Sequence, residues 1–320
     1  MKCELNNILN TQKIINMYIV DLINPDSEES LKYKYSKFPD GQQDIVLEEM
    51  GRESGDTYLI KARLNNFMDL EKITCAVAAI RNTAFKPFIH LVVPYFLGAR
   101  SDRQFIQGGT WYLKDVITPF INSLNLDEVI IVDPHSDVLP NLIKNVTIVK
   151  NWNFVFDCLE KSGHVCDQEN PNFVLLSPDA GALKKIFDVA KDLCYKGEII
   201  TAVKLRDVRT GKIIKTEVPC SDFQGKDIFI IDDICDGGRT FIELAKIIKD
   251  LNPGKINLVV THGIFSNAEQ LNEMHYTFPS GKVDGYFDTI YTTNSYQDFD
   301  ASTMSANNIK VYDIYNEILK

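Results

Sequence analysis

Apolar and polar positions along the chain fall into two alternating patterns. Six short runs, FIHLVVPYF, LDEVIIVDPH, NFVLLSPDAG, GEIITAVKLR, DIFIIDDICD and INLVVTHGIF, are rich in apolar residues and end in polar loops. Such runs predict buried strands of parallel sheets covered on both faces. Between strands, Phe241, Leu244, Ala245 and Ile248 keep the i, i+3, i+4, i+7 spacing of one helix face, and LNPG then stops the helix. The stretch TWYLKDVITPFINSLNL predicts a second helix, kinked or broken at Pro119.

The alternation runs twice. It predicts an α/β protein of two domains, 1–146 and 147–300, each a mainly parallel sheet flanked by helices. The tail, 301–320 with IKVYDIYNEILK, predicts one more strand and helix that pack back on the first half.

Composition narrows the function classes. The 320 residues are 45% apolar and 24% charged, enough for a substantial core. Thirty-four basic against 44 acidic side chains leave a formal charge of −10. No basic field is present to attract a nucleic-acid backbone or an anionic membrane. An anionic substrate must then be held by a few local groups and by metal ions. The seven cysteines (Cys3, Cys75, Cys158, Cys166, Cys194, Cys220, Cys235) form no C-x-x-C pair and read as reduced thiols. The N-terminal stretch reads as too polar for a signal peptide, and no apolar run reaches the roughly 18 residues of a membrane span. The expectation is a cytoplasmic protein.

One stretch concentrates the chemistry. FIIDDICDGGRT places Asp232, Asp233, Asp236, Gly237, Gly238, Arg239 and Thr240 at the carboxyl end of a predicted strand, just before a helix. Ligands of open parallel sheets bind at such ends. Glycines let backbone N–H groups close around a phosphate, and the helix dipole favours its charge. Two carboxylates beside that cradle make sense as acceptors for the vicinal hydroxyls of a phosphorylated sugar. The lysine of a Walker A loop is absent.

This segment resembles the ribose-phosphate loop of the phosphoribosyltransferase fold. Further stretches resemble motifs of the ribose-phosphate pyrophosphokinase (PRPP synthetase) family: KFPDGQ, PYFLGARSDRQ, VDPHS, LLSPDAGALKK and VKLRD. The resemblance runs from about Met17 to the C-terminus. It implies an ATP site with Phe38, Asp40 and Gln42 from a neighbouring subunit, together with Arg100, Asp102, Arg103 and His135. It gives His135 and Asp179 to Mg²⁺, and the catalytic loop to Lys204 and Arg206. The implied partners are ATP and a ribose-phosphate acceptor, with neither nucleic acid nor membrane, in a homo-oligomer, dimer or hexamer. The implied reaction moves the β,γ-diphosphate of ATP to the anomeric hydroxyl of ribose 5-phosphate, giving PRPP and AMP.

Residue by residue, plainer readings stand beside these. A lone histidine such as His135 is more often structural than a ligand, and SPDAG reads equally as a helix N-cap. Lys204 and Arg206, two apart, also fit one solvated strand face. His90 and His262, in apolar strands, read as structural; His164 and His275 carry no usable signal.

The chain departs from the family pattern at several points. Gln42 stands where the family has glutamate, Ser101 where it has glutamine, and Arg239 where a glycine is usual. SDVLPNLI lacks the family's Q-x-x-G-F-F, and the segment before KFPDG is too short for the usual first helix and second strand. Arg239 and Gly237 open a second reading, in which the same diphosphate is transferred to ADP-ribose, the acceptor of phage relatives that rebuild NAD⁺. A phosphoribosyltransferase and a non-catalytic regulatory relative are further alternatives. The second of these is expected to lose the K-x-R pair or the histidine, and this chain keeps both.

Overall fold

Five of the six apolar runs form one strand each and the sixth forms two, in a computed structural model describing residues 17–48, 55–206 and 213–319, without the side chains of 204–206 and 213–215. Two units divide the chain: Met1–Val149 with Ile314–Lys320, and Lys150–Asp313.

The first unit begins with β1 (Met17–Asp21), followed by β2 (Tyr33–Lys37), β3 (Gln43–Leu47) and β4 (Thr57–Lys61). Helix α1 (Phe67–Thr83), β5 (Phe88–Val92), α2 (Thr118–Ser123), β6 (Glu128–Val132), α3 (Val138–Leu142) and β7 (Val146–Val149) complete it. Its parallel sheet has the order β1-β4-β5-β6-β7, while β2 and β3 form a separate antiparallel ribbon. Helix α1 buries Leu70, Ile73, Ala76, Val77 and Ile80, one helical stripe. Asn66 caps it by accepting from Met68 N and Asp69 N, and Asp69 accepts from Asn66 N in return. Losing such a cap costs about 1 kcal/mol.

The helix expected around Pro119 is present in an altered form. Residues Leu113–Ile117 wind as a π-helical turn, and α2 begins at Thr118 with Pro119 in its first turn. Proline has no N–H, so the first turn, where donors have no intrahelical partner, is where it costs least.

The second unit contains α4 (Trp152–Lys161), β8 (Phe173–Ser177), α5 (Leu183–Asp192), β9 (Ile199–Thr201), β10 (Val203–Arg206), β11 (Ile213–Glu217) and β12 (Asp227–Cys235). Helix α6 (Arg239–Lys249), β13 (Ile256–Gly263), α7 (Ala268–Met274), β14 (His275–Thr277), β15 (Val283–Gly285) and β16 (Thr289–Thr293) follow, then α8 (Ala301–Ala306) and β17 (Ile309–Tyr312). The main sheet is parallel, in the order β17-β16-β13-β12-β8-β9. Along β12, Ile228 and Ile230 pack with α6 on one face, and Phe229 and Ile231 with α4 and α5 on the other. This two-sided burial explains the continuous apolar run. Helix α6 buries Phe241, Leu244, Ala245 and Ile248, the expected face, and Ile242 as well.

The run GEIITAVKLR is not one strand. Ala202 N still donates to Ser177 O, but β8 ends there, and beyond it the chain takes a new antiparallel partner, β11. The tail also divides. Strand β17 is an edge of the second sheet, whereas α9 (Ile314–Leu319) belongs to the first unit, where buried Tyr315 donates to Ala62 O at 3.0 Å.

The six described cysteines are free thiols; Cys3 lies outside the described residues. Among the described residues no helix is long and apolar enough to cross a membrane.

Candidate active site

In the first unit, the motif residues fall on two supports. Phe38, Asp40 and Gln42 occupy the exposed tip of the β2–β3 ribbon. Phe38 N donates to Gln42 O, Gly41 N to Phe38 O, and Gln42 N to Asp40 Oδ1, closing a tight turn that needs Gly41 at φ +100°. Gln43 anchors the ribbon on α1, donating through Nε2 to Met68 O at 2.8 Å and Glu71 Oε2 at 2.9 Å.

Arg100, Asp102 and Arg103 lie in the loop after β5, and His135 in the turn after β6. Both are carboxyl ends of neighbouring parallel strands. Asp102 is buried and accepts from Arg103 Nε at 2.8 Å and Nη2 at 3.0 Å. This two-toothed contact, with help from Ser136 and the nearby His135, holds the carboxyl below its usual range. Arg100, Arg103 and His135 remain exposed. The structure therefore brings Asp102, Arg103 and His135 together, and carries Phe38, Asp40 and Gln42 on the ribbon.

In the second unit, the residues converge at the carboxyl ends of β8 and β12. The acids do not follow the strand; β12 runs through Asp232 and Asp233 to Cys235, because β13 pairs alongside as far as Gly263. Asp179 sits in the turn after β8, its Oδ1 accepting from Gly181 N at 2.9 Å and Ala182 N at 3.2 Å. Burial and the Asp233 carboxylate push Asp232 well above the ordinary carboxylate range, and Asp179 adds to the effect. Three acids thus crowd one strand end.

Beyond them the chain makes the glycine turn into α6. Gly238 is left-handed, at φ +82°, and a Cβ there would meet Met274 Sδ at 2.8 Å. Asp236 accepts from Ser266 Oγ at 2.5 Å, and Arg239 and Thr240 are exposed. Arg239 Nε stands 3.7 Å from Glu243 Oε1, one turn along α6. Lys204 and Arg206 lie on β10, with backbone partners Thr216 and Ile213 on β11 and a register shift between Leu205 and Arg206. Their side chains and residues 207–212 are outside the description.

A phosphoribosyl transferase domain family model matches residues 146–288. A ribose-phosphate pyrophosphokinase of Vibrio vulnificus is 27% identical over 240 residues, covering 74% of this chain and 73% of its own. The one of Sulfurisphaera tokodaii is 27% identical over 241 residues, covering 73% and 77%. The crystal structure of phosphoribosylpyrophosphate synthetase from Mycobacterium smegmatis superposes with a TM-score of 0.74 at 16% identity, over 95% of this chain and 98% of that one. That likeness extends the shared fold across both units.

Over about three quarters of its length the chain is similar to ribose-phosphate pyrophosphokinases.

That similarity gives context to a residue outside the motif assignments. Lys185, on α5, places Nζ 3.7 Å from Asp233 Oδ1. Its only sequence signal was its position six residues after Asp179 in SPDAGALKK, where a basic residue also fits a solvated helix face. The histidines without a signal have partners too. His164 Nε2 lies 3.2 Å from Asp227 Oδ2 and Nδ1 3.0 Å from Ser162 Oγ, while His275 Nδ1 contacts Phe287 O at 2.6 Å. His90 pairs with Glu128, and buried His262 with Ser295, in line with structural roles.

Proposed function

We propose that this protein transfers the β,γ-diphosphate of ATP to the anomeric hydroxyl of ribose 5-phosphate, yielding PRPP and AMP. The observation that supports it most is the acid pair and glycine turn sharing one strand end ahead of an 11-residue helix. The N–H groups of the 236–240 turn suit a 5′ phosphate at a helix N-terminus, and Asp232 and Asp233 suit the ribose hydroxyls. Lys204 and Arg206 supply positive charge for the transferred diphosphate, the kind of fixed charge that accelerates phosphoryl-type transfer. Phe38, Asp40, Gln42, Arg100, Asp102, Arg103 and His135 bind ATP. The anomeric oxygen bonds to the β-phosphorus as the bond to the α-phosphate oxygen breaks and AMP departs.

Mg²⁺ fits the second unit's donor set. Asp179 beside Asp232 offers hard oxygens, and their mutual repulsion is what a cation relieves. Among the described residues no group of three or more His, Cys, Asp and Glu could hold a metal ion. Mg²⁺ takes one or two carboxylates plus substrate phosphates. We assign Asp179 to Mg²⁺ and His135 to Mg–ATP. When bound, the ion neutralises diphosphate charge.

Phosphorus NMR after incubation with ATP, Mg²⁺ and ribose 5-phosphate tests this reading. A new diphosphate ester at the anomeric carbon is expected; inorganic phosphate and ADP as the sole products would contradict it.

A second reading has the same chemistry acting on ADP-ribose. It is favoured by Arg239, an exposed guanidinium in the first turn of α6, at a loop usually wrapped by small residues. A guanidinium suits a second phosphate beyond the first. We further propose a homo-oligomer, supported by the exposed ribbon tip that carries Phe38. Sedimentation at micromolar concentration tests it, and a fully active monomer would contradict the shared ATP site.

A further inference from the structure

The turn that follows β12 is roofed by a segment the motifs do not mention. Ile264 N donates to Cys235 O at 2.8 Å and Phe265 N to the same oxygen at 3.2 Å. Ser266 Oγ donates to Asp236 Oδ1, and Asn267 Oδ1 caps α7 by accepting from Gln270 N at 3.0 Å. The start of α7 is thereby tied to the turn at both Cys235 and Asp236. Met274, at the other end of α7, lies under Gly238.

Gln270 stands in the gap between these fixed points. A methyl placed on Gly237 would come within 3.1 Å of Gln270 Oε1, so the half-buried side-chain amide lies directly over the glycine. Among the described residues that amide makes no hydrogen bond of its own. An amide can present its NH₂ or its oxygen in the same place by a half-turn about its last bond. Turned with the NH₂ inward, it offers two donors to an anion in the turn.

We propose that Gln270 is a specificity-determining contact for the acceptor, donating to the phosphoryl group on the sugar's 5′ carbon. The inference rests on the reading of the 236–240 turn as the acceptor's phosphate cradle. It adds a side-chain donor from a different element to the backbone donors of the turn. It also gives Gly237 a reason: any side chain there would fill the space between amide and anion.

The test is calorimetric binding of ribose 5-phosphate and of ADP-ribose to the full chain and to Gln270→Met and Gln270→Glu, with ATP binding measured alongside. Gln270→Met keeps the length and removes the donors. It should weaken whichever acceptor the parent protein binds by about tenfold, the usual value of a hydrogen bond to a charged group. Gln270→Glu should weaken it further, and ATP affinity should stay within about twofold in both. A melting temperature matching the parent separates lost contact from lost fold, and Gln270→Asn serves as a second variant if the others unfold. Acceptor affinity unchanged in a folded variant would overturn the proposal. Equal weakening of ATP would also overturn it, since that marks a general structural role. The parent protein's AMP release is scored separately: acceptor binding without AMP release would refute the proposed reaction while leaving the Gln270 contact standing.

Discussion

Lys185 Nζ stands 3.7 Å from Asp233 Oδ1, with the lysine side chain 30% and the aspartate side chain 6% exposed. The pair joins α5 to the end of β12, at the point where Asp179, Asp232 and Asp233 crowd together. Lys185 offsets part of that negative charge, and the mutual repulsion of the acids raises the Asp232 carboxyl. Charge held in this way destabilises the fold and prepares the site for cations and hydroxyls.

Replacing Asp232 by asparagine should therefore do two opposite things. It removes repulsion without changing size, so the melting temperature in metal-free buffer at neutral pH should rise by about 2–4 °C, the shift for about 1 kcal/mol in a domain of this size. The same change should lower AMP formation at least about tenfold, because a charged acceptor of the sugar hydroxyls becomes a neutral amide with one acceptor oxygen and a donor NH₂. Calorimetric melting and a turnover assay on one preparation check both; a variant that melts lower would contradict the crowding argument.

Lys204→Ala should leave far-ultraviolet dichroism and melting unchanged, while turnover falls about 10²–10³-fold, the usual cost of losing one electrostatic donor at a reacting centre. Near-parental turnover would remove the β10 segment from the site.

His164 gives a pH prediction away from the chemistry. Burial lowers its pKa below the ordinary 6.5, and Asp227 only partly opposes that. The unfolded chain then takes up the proton more readily, so the stabilisation is complete above about pH 6.5 and is lost as pH falls from there through the lower folded-state pKa. Melting temperatures between pH 7.5 and 5 should fall more steeply for the parent than for His164→Gln. Parallel curves would contradict it.

The central strands were legible because continuous apolar runs are what two-sided burial requires, and α6 because its apolar stripe is regular. Strand β10 was misread as a continuation of β9. Its local composition is strand-like, and only the end of β8 at Ser177 forces the change of partner. The acid pair's residues were legible from their order ahead of the glycines, but their place inside β12 depends on β13, a long-range pairing. Lys185 and Gln270 were missed for one reason. Each reaches β12 or the turn after it from another element, and a polar residue on a short helix reads as solvated until the packing is known.

The central claim is tested most directly by AMP release from ATP and Mg²⁺, measured with ribose 5-phosphate, with ADP-ribose and with no acceptor, using Lys204→Ala as the control. The account predicts AMP formed in step with consumption of a phosphoribosyl acceptor, with ribose 5-phosphate the better of the two, and little with the variant. AMP formed with ADP-ribose alone would move the acceptor to the second reading. No acceptor-dependent AMP with either compound would contradict the diphosphate-transfer assignment itself.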